Sequence, residues 1–184
     1  MTLMYMNPKM DEGDILVSES IDIDIKDTSS TLFDKLEELS KSMIIRYLPD
    51  IIDGEIAPIP QDESKATYAY NLSKEDEYID FNQDVLSVYN RMRGLLEEPA
   101  PYSIISGRKI KFHEVEYSDQ ILADPATFIG MHDNKIAIAA KNGTILVSRI
   151  QMEGKNIVGA RDFYNGQGRN LVGKRFEEKD EQAG

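Results

Sequence analysis

The stretch Lys135-Ile136-Ala137-Ile138-Ala139-Ala140-Lys141-Asn142-Gly143-Thr144-Ile145-Leu146-Val147-Ser148-Arg149-Ile150 decides the fold of the C-terminal part of this chain. Two apolar runs flank Asn142-Gly143, and Asn-Gly between such runs is the strongest short hairpin signal a sequence offers. Outward from it, Tyr102–Ile105 and Lys109–Val115 flank Ser106-Gly107-Arg108 and read as a second strand pair. A short helix is expected at Gly159–Tyr164, ending at Asn165-Gly166, and Leu171–Phe176 reads as a closing strand. Short strands with regular turns in this region predict a small barrel.

Upstream lies an amphipathic helix with Asn82 as its cap. Val85, Leu86, Tyr89, Met92 and Leu96 form its buried side, and Pro99 and Pro101 stop it. Further forward, Leu32, Leu36, Leu39, Met43 and Tyr47 recur at spacings of three and four, one apolar stripe on a longer helix. Asp27-Thr28-Ser29-Ser30-Thr31 supplies oxygens for its N-cap, Pro49 is expected to kink or split it, and Gly54 to end it. Before that helix, residues 1–6 and Ile15–Glu19 read as strands, and Ile21-Asp22-Ile23-Asp24-Ile25 alternates as a strand with one wet face. Two strands and one helix bury too little to form a core alone, so residues 1–57 are expected to need a missing partner segment.

The 184 residues carry a formal net charge of −12 and no cysteine, which excludes disulfides and thiolate metal sites and fits a cytoplasmic protein. The charge is uneven. Residues 1–100 hold 9 Lys/Arg against 22 Asp/Glu, whereas residues 101–176 hold 11 against 7. A net −13 therefore precedes a net +4, and the last eight residues add −3. Phosphate contact, if any, belongs after Pro101. No apolar run is long enough to span a membrane.

Two groups of residues could carry chemistry. In Met10-Asp11-Glu12-Gly13-Asp14-Ile15-Leu16 the acids are either a solvated turn or include a carboxylate held as a base or orienter, and residue physics alone leaves both open. In the C-terminal part, Lys109 and Lys111 share a strand face, with Arg108, Lys141, Arg149 and Lys155 following. Each is by default a solvated strand residue, and a subset is expected to reach phosphates. His113 and His132 read as ordinary strand and turn residues. Asn165-Gly166-Gln167-Gly168 lacks the strand-to-helix context of a nucleotide loop and reads as a turn.

Between the two parts runs Pro60-Gln61-Asp62-Glu63-Ser64-Lys65-Ala66-Thr67-Tyr68-Ala69, by composition a polar linker. As a string it resembles the interdomain linker of the methionyl-tRNA formyltransferase family. The resemblance extends in order through Met10–Leu16, Asp27–Leu36, Leu72-Ser73-Lys74-Glu75, Ile79-Asp80-Phe81, Tyr89–Leu95, Gln151–Lys155 and Asp162–Gly166, covering roughly residues 3–176. Leu96-Glu97-Glu98-Pro99 departs from it, two acids standing where the family usually has Pro-Trp.

The resemblance implies a remnant of a Rossmann-like α/β formyltransferase domain at 1–57 and a linker at 58–78. A helix with an OB-like barrel would follow at 79–176, and an acidic tail at 177–184. It implies formyl transfer from 10-formyltetrahydrofolate to initiator methionyl-tRNA without a metal, the methionyl amino group attacking the formyl carbon. Asp11 matches the catalytic Asp, and Met10, Gly13 and Asp14 match the neighbouring donor-binding positions. Lys74, Arg108, Lys109, Lys111, Lys141, Arg149 and Lys155 are the expected RNA-binding residues. The family's catalytic Asn and His match nothing here, so the chain, expected as a monomer, should be inactive alone. The alternatives are a sugar-nucleotide N-formyltransferase of the same fold and a non-catalytic RNA-binding truncated product.

Overall fold

A computed structural model of the chain describes residues 1–96 and 99–178. Glu97 and Glu98, where the sequence departs from the family string, and most of the expected acidic tail lie outside the described residues. The chain divides into two units, Met1–Asn71 and Leu72–Gly184.

In the first unit, β1 (Thr2–Met4) pairs antiparallel with β2 (Ile15–Ser18), and α1 (Ser29–Ile52) follows. Thr28 begins the helix. Its hydroxyl accepts from the Thr31 N–H at 3.3 Å while the Thr31 hydroxyl accepts from the Thr28 N–H at 2.9 Å, so two otherwise orphaned donors are satisfied reciprocally. Asp27, 7% exposed, accepts from Lys35 Nζ at 2.6 Å and from the Asp24 N–H at 2.7 Å. The Lys35 ammonium holds its carboxyl below the usual range.

The predicted stripe faces inward, with Met43 fully buried and Leu32, Leu36, Leu39 and Tyr47 half-buried. Glu19 ties α1 to the strands through Arg46 and Tyr47, each at 2.7 Å. Pro49 lies inside the helix, which continues unsplit to Ile52, and Gly54 follows at φ +74°.

The expected strand at Ile21–Ile25 does not form. Its alternation needs a sheet neighbour, and the segment instead turns locally, with Asp24 accepting from the Lys26 N–H at 2.9 Å while Ile23 stays 59% exposed.

In the second unit, α2 (Val85–Gly94) precedes β3 (Tyr102–Ile105), β4 (Arg108–Ser118), β5 (Phe128–His132), β6 (Lys135–Ala140) and β7 (Gly143–Met152). The short β8 (Val158–Gly159) leads into α3 (Ala160–Gly166). The sheet is antiparallel in the order β3-β4-β7-β6-β5, with β8 paired to β7. Ile105, Ile110, Phe112, Phe128, Ile136, Ile138, Ile145 and Ile150 are fully buried, and Phe81 meets Phe112 edge-on at 5.6 Å. Val85, Val88 and Met92 of α2 and Phe163 of α3 enter the same core.

Among the described residues no closed barrel forms. The segment expected as a closing strand, Leu171–Phe176, ends a 3₁₀ turn (Gly168–Leu171) and then lies between the two edges of the sheet. On the β5 side it pairs antiparallel across Thr127 and Arg175, with Phe128 N–H to Lys174 O and Phe176 N–H to Ala126 O both at 2.8 Å and Gly173 N–H to Phe128 O at 2.9 Å, whereas on the β3 side Glu177 N–H donates to Ile104 O at 2.8 Å. The helix cap is Asp84, not Asn82. Asn82 is occupied in a turn with Asp80, whereas Asp84 Oδ1 accepts from the Leu86 N–H at 3.1 Å. Leu86 is 40% exposed and Val88 takes its place in the core. β5 was not expected; its run is broken by Gly130, and its place depends on pairing with β6.

One junction seats α2 on the sheet. Asn142 adopts φ +64° at the hairpin turn and donates through Nδ2 to Asp84 Oδ2 at 2.9 Å. A Cβ on Gly143 would lie 2.5 Å from Ser118 O and 2.8 Å from Val85 Cγ1. Gly143→Ala should therefore cost roughly 1–3 kcal/mol through overpacking, read as a lowered urea midpoint, and an unchanged midpoint would show that both β4 at Ser118 and the helix at Val85 give way freely.

The Asn142 hydrogen bond first, and the Leu86 N–H second, hold the Asp84 carboxyl below its ordinary 3.8. A depressed folded-state pKa gives stability that is present above the unfolded pKa and lost as pH falls through the folded one. Thermal melts at stepped pH should show Asp84→Asn below wild type near neutrality, with the gap closing in acid. A gap independent of pH would remove the charge from the account.

Candidate functional site

The loop between β1 and β2 carries Met10, Asp11, Gly13 and Asp14. Asp11 is exposed and sits at φ +58°, a left-handed conformation that Asp tolerates better than most residues but that needs support. The support is visible. The Tyr5 N–H donates to Asp14 O at 3.0 Å, closing the base of the loop. Gly13 is buried, and a Cβ there would stand 1.6 Å from Tyr5 O. Lys9 pairs with Glu12 at 2.9 Å, and Met10 projects outward, 88% exposed.

A further residue holds this loop, one that sequence reasoning missed. Ile15 and Ile59 exchange both backbone hydrogen bonds at 2.8 Å. Two residues on, Gln61 Nε2 donates to Asp11 O at 2.8 Å and to Gly13 O at 2.7 Å. The stretch that reads as a free linker is therefore anchored at its start. Its polar composition is the same whether or not it is pinned.

The basic candidates divide by location. On the outer face of β3, β4 and β7, Lys111 stands opposite Tyr102 and Gln151 in register, and Lys109 Nζ lies 3.8 Å from the Tyr102 ring centroid. Gln151 Nε2 donates to Lys155 O at 2.9 Å, and His113 Nε2 lies 3.4 Å from Gln151 Oε1. Arg149, two residues from Gln151 on the same strand, is half-exposed and 3.8 Å from Glu114.

The structure thus gathers Lys109 and Lys111 around Tyr102 and Gln151, with Arg149 two residues along the same face of β7, while Lys155 lies past the end of β7, its carbonyl held by Gln151. It places Lys141 beside α2, where its carbonyl accepts from the Val85 N–H, and Arg108 at the β3–β4 turn, donating to Gln167 Oε1 at 3.1 Å. Lys74 is exposed ahead of the sheet. Lys174 joins the turn through Ser106 Oγ at 3.2 Å; no local pattern signals it, because it arrives from 68 residues away.

Among the described residues no group of three or more His, Cys, Asp or Glu could hold a metal ion, and no helix is long and apolar enough to cross a membrane. The Met10–Asp14 loop leaves Met10 and Asp11 exposed. It offers an apolar side chain, a carboxylate and a close-lying backbone, but it does not enclose a ligand.

Residues 71–168 match the family described as formyl transferase, C-terminal domain. The chain belongs to that family. Relatives include a methionyl-tRNA formyltransferase from Streptococcus agalactiae, 33% identical over 178 residues covering 96% of this chain and 57% of the relative. The chain thus spans little more than half the length of the curated relatives it matches.

Among solved structures, HypX from Aquifex aeolicus in complex with tetrahydrofolic acid is similar at a TM-score of 0.71 and 16% identity, covering 93% of this chain and 30% of that one. An N-formyltransferase from Helicobacter canadensis, in complex with folinic acid and dTDP-3-aminofucose, reaches 0.61 at 16% identity, covering 82% and 54%. These structures share the fold.

The contact at Gly13 gives a direct test of how the loop is built. Gly13→Ala should open the loop base, so that the Tyr5 amide loses protection in hydrogen exchange while amides of the second unit keep theirs. Retained protection at Tyr5 would show that the close approach is not required.

Proposed function

We propose that this chain is the C-terminal portion of a methionyl-tRNA formyltransferase. On this reading the first unit is the end of a formyltransferase domain and contributes Asp11, and the second unit binds initiator methionyl-tRNA. The observation that carries the first half is the uncovered side of α1. Ile45 and Ile52, 79% and 74% exposed, lie opposite the stripe that holds Met43, and Phe33, 72% exposed, lies to one side of it. A helix apolar on both sides is built for burial on both sides, and a patch of this kind marks an interaction site. The curated relatives extend well beyond the matched region, and their additional N-terminal segment is the occupant we assign to this face.

In such an assembly Asp11 acts with groups the chain lacks. The donor, 10-formyltetrahydrofolate, supplies the formyl group. On this chain Met10 gives it an apolar contact, Gly13 and Asp14 keep the backbone close, and the exposed Asp11 carboxylate orients an imidazole and water from the missing segment. The tRNA contact falls on the face bearing Lys109, Lys111 and Arg149 and on the adjoining segment with Lys155, with Lys74, Arg108 and Lys141 as flanking phosphate contacts. Tyr102, already stacked by Lys109, leaves little free ring for base stacking, which favours backbone contact over sequence reading. This reading places the chain in the cytoplasm with translation.

Formylation assays on methionyl-tRNA should show no turnover with residues 1–184 alone. Turnover should appear when the N-terminal segment of the Streptococcus agalactiae relative is supplied, and turnover by the chain alone would overturn the reading. In binding titrations, affinity for initiator tRNA should fall linearly on a log–log plot against salt, with Lys111→Ala lowering the slope by about 1. Salt-independent binding would sink the RNA half. Binding of a dTDP-amino sugar in place of tRNA would favour the sugar-nucleotide alternative.

A further inference from the structure

We propose that Gln61 is a positioning residue for Asp11, so that the first residues of the stretch that reads as a linker are part of the reactive loop's framework. The inference rests on the reading of Asp11 above, but the geometry behind it stands by itself. The reciprocal pair Ile15–Ile59 fixes an antiparallel register, and continuing it by two residues places Gly13 opposite Gln61. The side chain of Gln61 therefore arrives beside the loop because the backbone ladder delivers it there.

Its Nε2 carries two hydrogens, and both are used. One meets Asp11 O at 2.8 Å and the other meets Gly13 O at 2.7 Å. The assignment of nitrogen and oxygen in the carboxamide follows from chemistry, since the opposite orientation would set an oxygen against two carbonyl oxygens. With both carbonyls held by one atom, the backbone from Asp11 to Gly13 is closed into a ring. That constraint opposes relaxation of Asp11 from φ +58° towards the ordinary negative region. The direction in which its carboxylate leaves the loop is fixed by the same constraint.

Other contacts do not substitute for this one. The Tyr5 N–H bond to Asp14 O closes the base of the loop, and Lys9 with Glu12 spans its exposed tip. Among these three contacts, only Gln61 holds the Asp11 carbonyl. Glutamine suits the position: glutamate has no hydrogen to donate and would present negative oxygens to both carbonyls, and alanine leaves them to water.

The test uses the full 184-residue chain, isotopically labelled, as wild type, Gln61→Ala and Gln61→Glu. Carbonyl ¹³C shifts of Asp11 and Gly13, and the two Hα–Hβ couplings of Asp11, report the clamp and the side-chain direction respectively. In both variants the two carbonyl resonances should move upfield together and the Asp11 couplings should average towards one another. Exchange protection of the Ile15 and Ile59 amides should persist, showing that the strands remain paired. Unchanged carbonyl shifts or unchanged Asp11 couplings in both variants would overturn the inference, whatever the function of the chain.

The kinetic arm uses the enzyme completed with the relative's N-terminal segment. Gln61→Ala should lower kcat by roughly 10²-fold with KM for the folate and for tRNA unchanged, as expected for a misplaced reacting group. If Asp11→Asn leaves kcat intact, the role of Asp11 fails while the spectroscopic result still decides the clamp. If Asp11→Asn abolishes turnover and Gln61→Ala does not slow it, the positioning role of Gln61 is overturned and Asp11 stands.

Discussion

The second unit depends on one shared carboxylate. Asp84 caps α2 with one oxygen and holds the side chain of the hairpin-turn residue Asn142 with the other. Gly143, next in line, lets Val85 and the Ser118 carbonyl both approach it closely. Helix and sheet thereby meet at a point where neither can shift without disturbing both. The buried isoleucines of β4, β6 and β7, and the aromatic group of Phe81, Phe112, Phe128 and Phe176, lie under a helix whose position that junction sets. The C-terminal segment spans the two edges of the sheet, bridged antiparallel at Thr127–Arg175 on one side and bonded to Ile104 on the other, and it brings Lys174 and Glu177 to the β3–β4 turn.

The first unit is organised by a different economy. A two-stranded pair and one helix bury a single side chain of α1 completely, so local hydrogen bonds carry much of its definition. The Thr28–Thr31 box, the Asp27–Lys35 pair and the convergence of Arg46 and Tyr47 on Glu19 hold the helix in place. Around the Met10–Asp14 loop the same style continues, with Tyr5, Ile59 and Gln61 each satisfying a backbone group. A unit held mainly by polar contacts, with an apolar helix face outside, can keep a loop rigid while leaving a large surface for a partner.

The family resemblance and the structure bear on different questions. Family membership rests on residues 71–168 and on identity to proteins of nearly twice the matched length. The roles of Asp11 and of the basic face belong to the proposal, and the geometry supports it by showing Asp11 exposed on a pinned loop and Lys109, Lys111 and Arg149 on one face of the sheet. Lys141 and Arg108 show why charge alone cannot assign such roles: both are basic, and one lies beside a helix start while the other pairs with Gln167 at a turn.

By itself the sequence determined the elements whose signals are local. The α1 stripe follows from spacing, its start from the Thr28 oxygens, the β6–β7 hairpin from Asn142-Gly143, and β3 and β4 from their apolar runs. What only tertiary structure decided are the features that depend on a distant neighbour. Ile21–Ile25 alternates well but finds no strand to pair with and turns instead, while β5, interrupted by Gly130, forms because β6 lies beside it. Asp84 prevails over Asn82 as the cap because Asn142 arrives to hold it. Gln61, spelled as linker, becomes part of the Asp11 loop through a register set by Ile15 and Ile59. A local pattern reports what a segment can do, and hydrogen-bond partners that come from far along the chain decide which of those options is taken.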